Sequence, residues 1–279
     1  MKPIGWDLEI AGEFPEGDGD RDWLTIEPPL GVSCTAAAEP QEGQEGEVRA
    51  TTFTPFGVVG DRLVKEEARL MARWLYECQE AGAKIVTWNG LGFDFPVLAR
   101  ECGDGYYTHL LAQVALDHID MAFTMFCQKG FMVGLQTAAE AFNLHGKLDG
   151  MNGALAPILW NPPDRDLTDK ELIDLHNLGV EPGTPKARHL CLDYVRQDAV
   201  TTLELYQALM DKRQMVWRTR RGTPSRYPWV PYVVDGHIGT CRQALRLEAP
   251  DTSWMSDPRS RSDYAGWALD ALNLDMLSV

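Results

Sequence analysis

A short apolar run near the start of the chain, Ile4-Gly-Trp-Asp-Leu-Glu-Ile10, carries two acids at alternate positions. In a strand, Asp7 and Glu9 share one face, while Trp6, Leu8 and Ile10 share the other. Such a strand needs two different neighbours. Its apolar face demands a core. Its acidic face repels itself unless a cation or a hydrogen-bond donor stands between the carboxylates. Taken alone, the pair also fits a solvated edge strand, so its meaning depends on what the rest of the chain brings to that face.

Two distant segments bring further acids. Lys84 to Trp88 is apolar and rich in β-branched residues, which predicts a buried strand. Asn89, Gly90 and Gly92 follow as turn residues, and a helix is expected to start near Phe93. Asp94 then lies two residues before Pro96, which a first helical turn tolerates. Asp94 is either a helix N-cap or a carboxylate aimed at a site. In the third segment, apolar residues at 192, 195, 199, 203 and 206 predict a helix. Tyr194 and Asp198 lie four apart and so share a face, which is either solvated or turned into a site. Four carboxylates that converge from a strand, a loop-to-helix junction and a helix suit a hard divalent cation, Mg²⁺ or Mn²⁺. That chemistry points to metal-assisted phosphoryl transfer.

The ordered set D-x-E, N-x3-F-D and Y-x3-D resembles the DEDD superfamily of 3′–5′ exonucleases over roughly residues 1–212. It is most similar to the tyrosine (DEDDy) subclass, as in the exonuclease domain of family-B DNA polymerases and its stand-alone relatives. Asn89, Phe93 and the run Phe95-Pro-Val-Leu98 fit the second motif. The histidine subclass would place its His at position 193, which is Asp193 here.

The resemblance implies an α/β, ribonuclease-H-like fold, with a mixed central sheet flanked by helices. It implies two metal ions, Mg²⁺ or Mn²⁺, held by Asp7, Glu9, Asp94 and Asp198. Tyr194 would orient the attacking water, and Leu8, Asn89 and Phe93 would contact substrate. The substrate would be the 3′ end of single-stranded DNA or RNA, cut to nucleoside monophosphates, and a polymerase or repair protein would be a natural partner. Two other readings stay open: an RNA 3′-trimming enzyme, and a catalytically silent module that binds nucleic acid or a partner on the same fold.

Composition narrows the class. At 279 residues and 44% hydrophobic, the chain can bury a sizeable core. No apolar run reaches membrane-spanning length, and no signal-peptide core precedes the first strand. Six scattered cysteines without a C-x-x-C pair suit free thiols in a reducing, cytoplasmic setting. The net charge of −15 runs against phosphate binding. Cations cluster at Lys212, Arg213, Arg218, Arg220, Arg221 and Arg226, among Trp217, Tyr227, Trp229 and Tyr232. That mixture fits either a single-strand track or a solvated linker with packing aromatics.

Elsewhere, residues 31–38 and 48–54 read as strands that form a meander with the first, joined by a polar turn at 39–47. Residues 61–81 read as a helix, and 104–145 as mainly helical. Asp120 is a candidate support for the site or a simple N-cap. Residues 146–166 are expected to be a surface loop beside the groove, with Lys147 either an exposed lysine or a phosphate contact. Thr168-Asp-Lys-Glu171 is a capping box. Asp18-Gly-Asp-Arg-Asp22 lacks the full ligand pattern of a calcium loop. Beyond 212, residues 213–279 form a separate C-terminal extension, expected to pack on the main domain or to bind substrate or a partner. His237 and Cys241 there read as structural.

Overall fold

The computed structural model describes residues 2–14, 22–41, 47–54, 60–219, 221–228, 233–234 and 236–276. Residues 15–21 of the acidic stretch, the tip of the 39–47 turn, and Arg220, Trp229 and Tyr232 lie outside the described residues.

The elements run β1 (Pro3–Ile10), β2 (Val32–Pro40), β3 (Val48–Phe53), α1 (Lys65–Glu80), β4 (Lys84–Thr87), α2 (Asp94–Cys102) and α3 (Gly105–Asp117). Then come β5 (Ile119–Asp120), α4 (Met121–Lys129), α5 (Leu135–Ala141), α6 (Leu155–Trp160), α7 (Asp169–Leu178) and α8 (Pro185–Lys212). The C-terminal part holds β6 (Gln214–Arg218), β7 (Pro224–Pro228), β8 (Val233–Val234), β9 (His237–Ile238), α9 (Cys241–Leu245) and α10 (Ser262–Ala271).

The central sheet has five strands in the order β3-β2-β1-β4-β5. β1, β2 and β3 form the expected antiparallel meander, while β4 and β5 run parallel to β1. This is a mixed α/β sheet flanked by helices. The doubly acidic strand is therefore not an edge; it sits at the centre.

The two faces of β1 have the two neighbours that its sequence demands. Ile4, Trp6, Leu8 and Ile10 are buried with α1, α2, α3 and the C-terminal helices. The opposite face is built from small residues. Gly5 pairs with Ala38, Asp7 with Ala36 and Glu9 with Cys34. Paired residues of an antiparallel ladder point to the same side, so this face is nearly flat apart from its two acids. α8 lies directly on it: a Cβ at Gly5 would stand 2.4 Å from the Ala199 carbonyl oxygen. Glycine inside a strand marks such a close approach. A bulge at Ser33 then ends the regular β1–β2 register beside Glu9, and the Ser33 hydroxyl donates to the Glu9 carbonyl.

Two expectations need correction. Residues 146–166 are not simply a surface loop, because Leu155–Trp160 form α6 and all six residues are buried. Gly, Pro and Asn around this run mask a short apolar stretch, and Pro157 sits in its first turn, where proline is tolerated. The span 104–145, expected to be mainly helical, is interrupted by the two-residue strand β5, since Ile119 and Asp120 pair with Val86 and Thr87. Two residues are too few for a periodicity signal. The capping box at Thr168 and Glu171 is formed as expected.

Of the basic and aromatic cluster, Trp217 and Tyr227 are buried in a core with α5 and α8, while Arg218, Arg221 and Arg226 are exposed. These aromatics are packing residues. His237 is buried, and its Nδ1 meets the Ile238 carbonyl.

Candidate active site

The acidic face of β1 opens into a cleft lined by Asp7, Leu8, Glu9, Asn89, Phe93, Asp94, Tyr194 and Asp198. The three motif segments thus meet in one place. Ile10, Phe14, Trp88, Lys147 and Gly153 complete the lining.

Each acid is placed by a different element. Asp7 and Glu9 come from the centre of β1. Asp198 descends from α8, which starts at a capped Thr184 with Pro185 in its first turn. Oxygens of Asp7, Glu9 and Asp198 lie within 4.8 Å of one another. Asp94 comes from the loop after β4. Strands β1 and β4 are paired only as far as Gly5 and Val86. Beyond that point the Leu8 N–H donates to Asp94 Oδ1 at 3.2 Å. Asp94 is therefore not the N-cap of α2, a position held by Phe93 without a side-chain cap. Leu8 itself points into the opposite core, so its backbone is what meets Asp94.

Lys147 enters between these groups. Its Nζ is 3.0 Å from Asp198 Oδ2, donates to the Tyr194 hydroxyl and lies 4.8 Å from the Tyr194 ring centroid. Lys147 is thus not simply an exposed lysine: it lines the cleft and is ion-paired there. Sequence reasoning had no signal for that pairing, because nothing in a Gly- and Asn-rich stretch marks one lysine as turned inward.

Asp120 takes both of its sequence-level roles. It caps α4 by accepting from Phe123 N at 2.9 Å. It also accepts from Asn89 N at 2.9 Å and Leu91 N at 3.0 Å, which fixes the loop ahead of Asp94. Asn89 adopts a left-handed φ of 70°, as turn asparagines do.

Charge at the site is far from neutral. Burial raises the pKa of Asp7 well above the usual carboxylate range, and Asp94, Asp198 and Glu9 push it further. Burial and Asp198 do the same to Glu9, with Lys147 pulling the other way. Asp94 is raised to about 7 by burial, partly offset by the Leu8 N–H. Asp198 is raised by burial against the opposing pull of Lys147 and Tyr194. Burial and the surrounding acids raise the Tyr194 phenol as well, so it keeps its proton.

The residues fit a divalent cation. The donors are all oxygens, the set that Mg²⁺ and Mn²⁺ prefer. Asp198 Oδ1 is buried without a hydrogen-bond partner, which is costly unless a ligand meets it. A second group of close polar atoms, His118, Asp120 and Cys241, does not fit a metal. Both His118 nitrogens face Ala115 O and Thr87 Oγ1, and the Asp120 oxygens face backbone N–H groups. Burial lowers the His118 pKa to about 3, so the ring stays neutral in the core.

Residues 57–210 match the RNase_H_2 model of the RNase H superfamily, which is more than half of the 279 residues. The chain belongs to the RNase H superfamily. Membership indicates a nuclease that acts on nucleic acid, and RNase H-like nucleases typically use divalent metal ions. No curated protein matches the chain. The matched span includes Asp94, Tyr194 and Asp198 but not β1, so Asp7 and Glu9 rest on the geometry above. All six cysteines are free, and among the described residues no helix is long and apolar enough to cross a membrane.

Proposed function

We propose that this protein is a metal-dependent 3′–5′ exonuclease of the tyrosine (DEDDy) subclass, acting on single-stranded nucleic acid, with DNA as the favoured substrate. The observation that carries the reading is the meeting of Asp7, Glu9 and Asp198 oxygens within 4.8 Å, with Tyr194 one helical turn from Asp198 and Asp94 anchored at Leu8. The substrate is the 3′-terminal phosphodiester, and the products are a nucleoside monophosphate and a strand one residue shorter.

Asp7, Glu9 and Asp198 would hold one Mg²⁺ or Mn²⁺, and Asp7 with Asp94 a second. When bound, such ions make water more acidic and stabilise negative charge on the departing 3′ oxygen. The protein's own groups do the rest. Tyr194 is protonated and its hydroxyl sits beside Lys147, which also meets Asp198, so the hydroxyl can hold a water in line with the scissile bond. Lys147 partly neutralises the acids as a phosphate approaches. Phe14, Phe93 and Trp88 line the cleft and offer apolar surface to the terminal base. Residues 1–212 form the catalytic unit in this reading, and 213–279 support it.

The test is a gel assay with 5′-labelled single-stranded DNA and RNA oligonucleotides, in Mn²⁺ and in EDTA, with wild-type and Asp7→Ala protein. A metal-dependent ladder shortening from the 3′ end, lost in the variant, is expected. A better ladder on RNA would redirect the reading to 3′ trimming of RNA. Bound metal without any ladder would favour the silent binding module.

A further inference from the structure

The loop that delivers Asp94 is gripped by residues from both ends of the chain, outside the family match at 57–210. The Trp267 indole N–H donates to the Leu91 carbonyl at 2.8 Å. The Trp23 indole N–H donates to the Gly92 carbonyl, also at 2.8 Å. A Cβ at Gly92 would stand 2.7 Å from Tyr264 Cδ1, so α10 lies directly against this loop. On the inner side, Asp120 accepts from Asn89 N and Leu91 N. Gly90 N donates to Thr87 Oγ1, and the Gly90 carbonyl accepts from Phe95 N.

These bonds leave the loop little freedom. Asp94 follows two residues after Gly92, and its carboxylate meets β1 through one hydrogen bond to Leu8 N. A small shift at Leu91 and Gly92 would move that carboxylate relative to Asp7. Metal sites are sensitive to supports of this kind, whose loss typically weakens metal binding tenfold or more.

We propose that Trp267 of α10, together with Trp23, is a positioning residue for Asp94, and that the C-terminal segment is thereby a working part of the metal site. This rests on the exonuclease reading only for the identity of the reaction. The brace itself is a statement about the loop.

The test uses the full-length protein and Trp267→Phe, which keeps an aromatic ring in the packing and removes the N–H donor. Amide hydrogen exchange of residues 89–97 is compared with exchange in β1, and Mn²⁺ affinity is measured by titration. Exchange is expected to rise in 89–97 and stay unchanged in β1. Mn²⁺ affinity is expected to fall roughly tenfold, and kcat to fall with little change in KM. Trp23→Phe should give the same pattern through Gly92, and it serves if Trp267→Phe does not fold. Unchanged exchange in 89–97 for a folded variant would overturn the brace. So would unchanged Mn²⁺ affinity in a variant of a protein that binds Mn²⁺. If the wild-type protein binds no Mn²⁺, the exonuclease reading fails, while the exchange data still judge the brace.

Discussion

Lys147 Nζ lies 3.0 Å from Asp198 Oδ2, while Asp198 Oδ1 is buried and unpartnered. One oxygen is held by an internal cation and the other is left for a ligand. Lys147→Met should therefore destabilise the metal-free protein. Removing one partner of a fully buried pair costs about 3–5 kcal/mol. Here the lysine side chain keeps 29% exposure and Asp198 can take up a proton, so about 2 kcal/mol is expected. Mn²⁺ should raise Tm more in the variant than in the wild type, because it replaces the missing charge. Thermal melts in EDTA and in Mn²⁺ check this; an equal loss under both conditions would mean that Lys147 does not share the site with the cation.

Asp94 gives a pH dependence with a definite sign. Its folded pKa is raised to about 7, against 3.8 for the free carboxyl, so the folded state holds the proton more tightly. The stability it contributes is fully present below about 4 and is lost as pH rises through about 7. Asp7 and Glu9 are raised in the same direction. Buried His118, lowered to about 3, works the other way over the same range. The Asp94 effect is therefore read as a difference: in metal-free protein, Tm of Asp94→Asn should rise relative to wild type between pH 4 and 7. Glu171, lowered to about 2 by Arg165, also acts in the opposite sense, mainly below pH 4. Melts of both proteins across this range in EDTA read that difference directly; parallel Tm curves for wild type and Asp94→Asn contradict the raised Asp94 pKa.

Much of the site was legible because its acids sit in strong local patterns. Asp7 and Glu9 alternate with buried Trp6 and Leu8 in β1, and Tyr194 and Asp198 keep helical spacing beside a buried stripe. Less legible were features set by partners far away in sequence. Lys147 differs from any surface lysine only through Asp198 and Tyr194. Trp267 and Trp23 matter through two backbone carbonyls that no side-chain pattern announces. β5 is two residues long, too short for any period. Gly5 did carry a signal, as a glycine inside an apolar strand, but only α8 gives it meaning.

Tyr194→Phe separates positioning from folding. The ring is fully buried and would keep its packing in the variant, while the hydroxyl beside Lys147 and Asp198 is lost. The expected outcome is a Tm close to wild type, Mn²⁺ affinity within a few-fold, and kcat lowered by roughly 10²-fold with KM nearly unchanged. Single-turnover rates on a short DNA strand measure it. A variant with wild-type kcat would remove Tyr194 from the reaction.

Gly5→Ala tests whether the metal site depends on the seating of α8 on β1. The added methyl would meet the Ala199 carbonyl oxygen at 2.4 Å and Leu203 Cβ at 3.0 Å. Neither atom is the end of a flexible side chain, so the helix itself must move. Overpacking of this kind costs about 1–3 kcal/mol. Because Ala199 follows Asp198 directly, the shift carries that carboxylate away from Asp7 and Glu9. Stability and Mn²⁺ affinity should fall together, and saturating Mn²⁺ should not fully restore activity. Gly105→Ala is the matched control. It lies in the first turn of α3, is exposed, and has open space around the added methyl. That change should stabilise by about 0.5 kcal/mol through lower unfolded-state entropy, with no effect on Mn²⁺ binding. Urea unfolding with Mn²⁺ titration on both variants decides the matter. If Gly5→Ala lowers stability but leaves Mn²⁺ affinity at the wild-type value, Asp198 is placed independently of this contact.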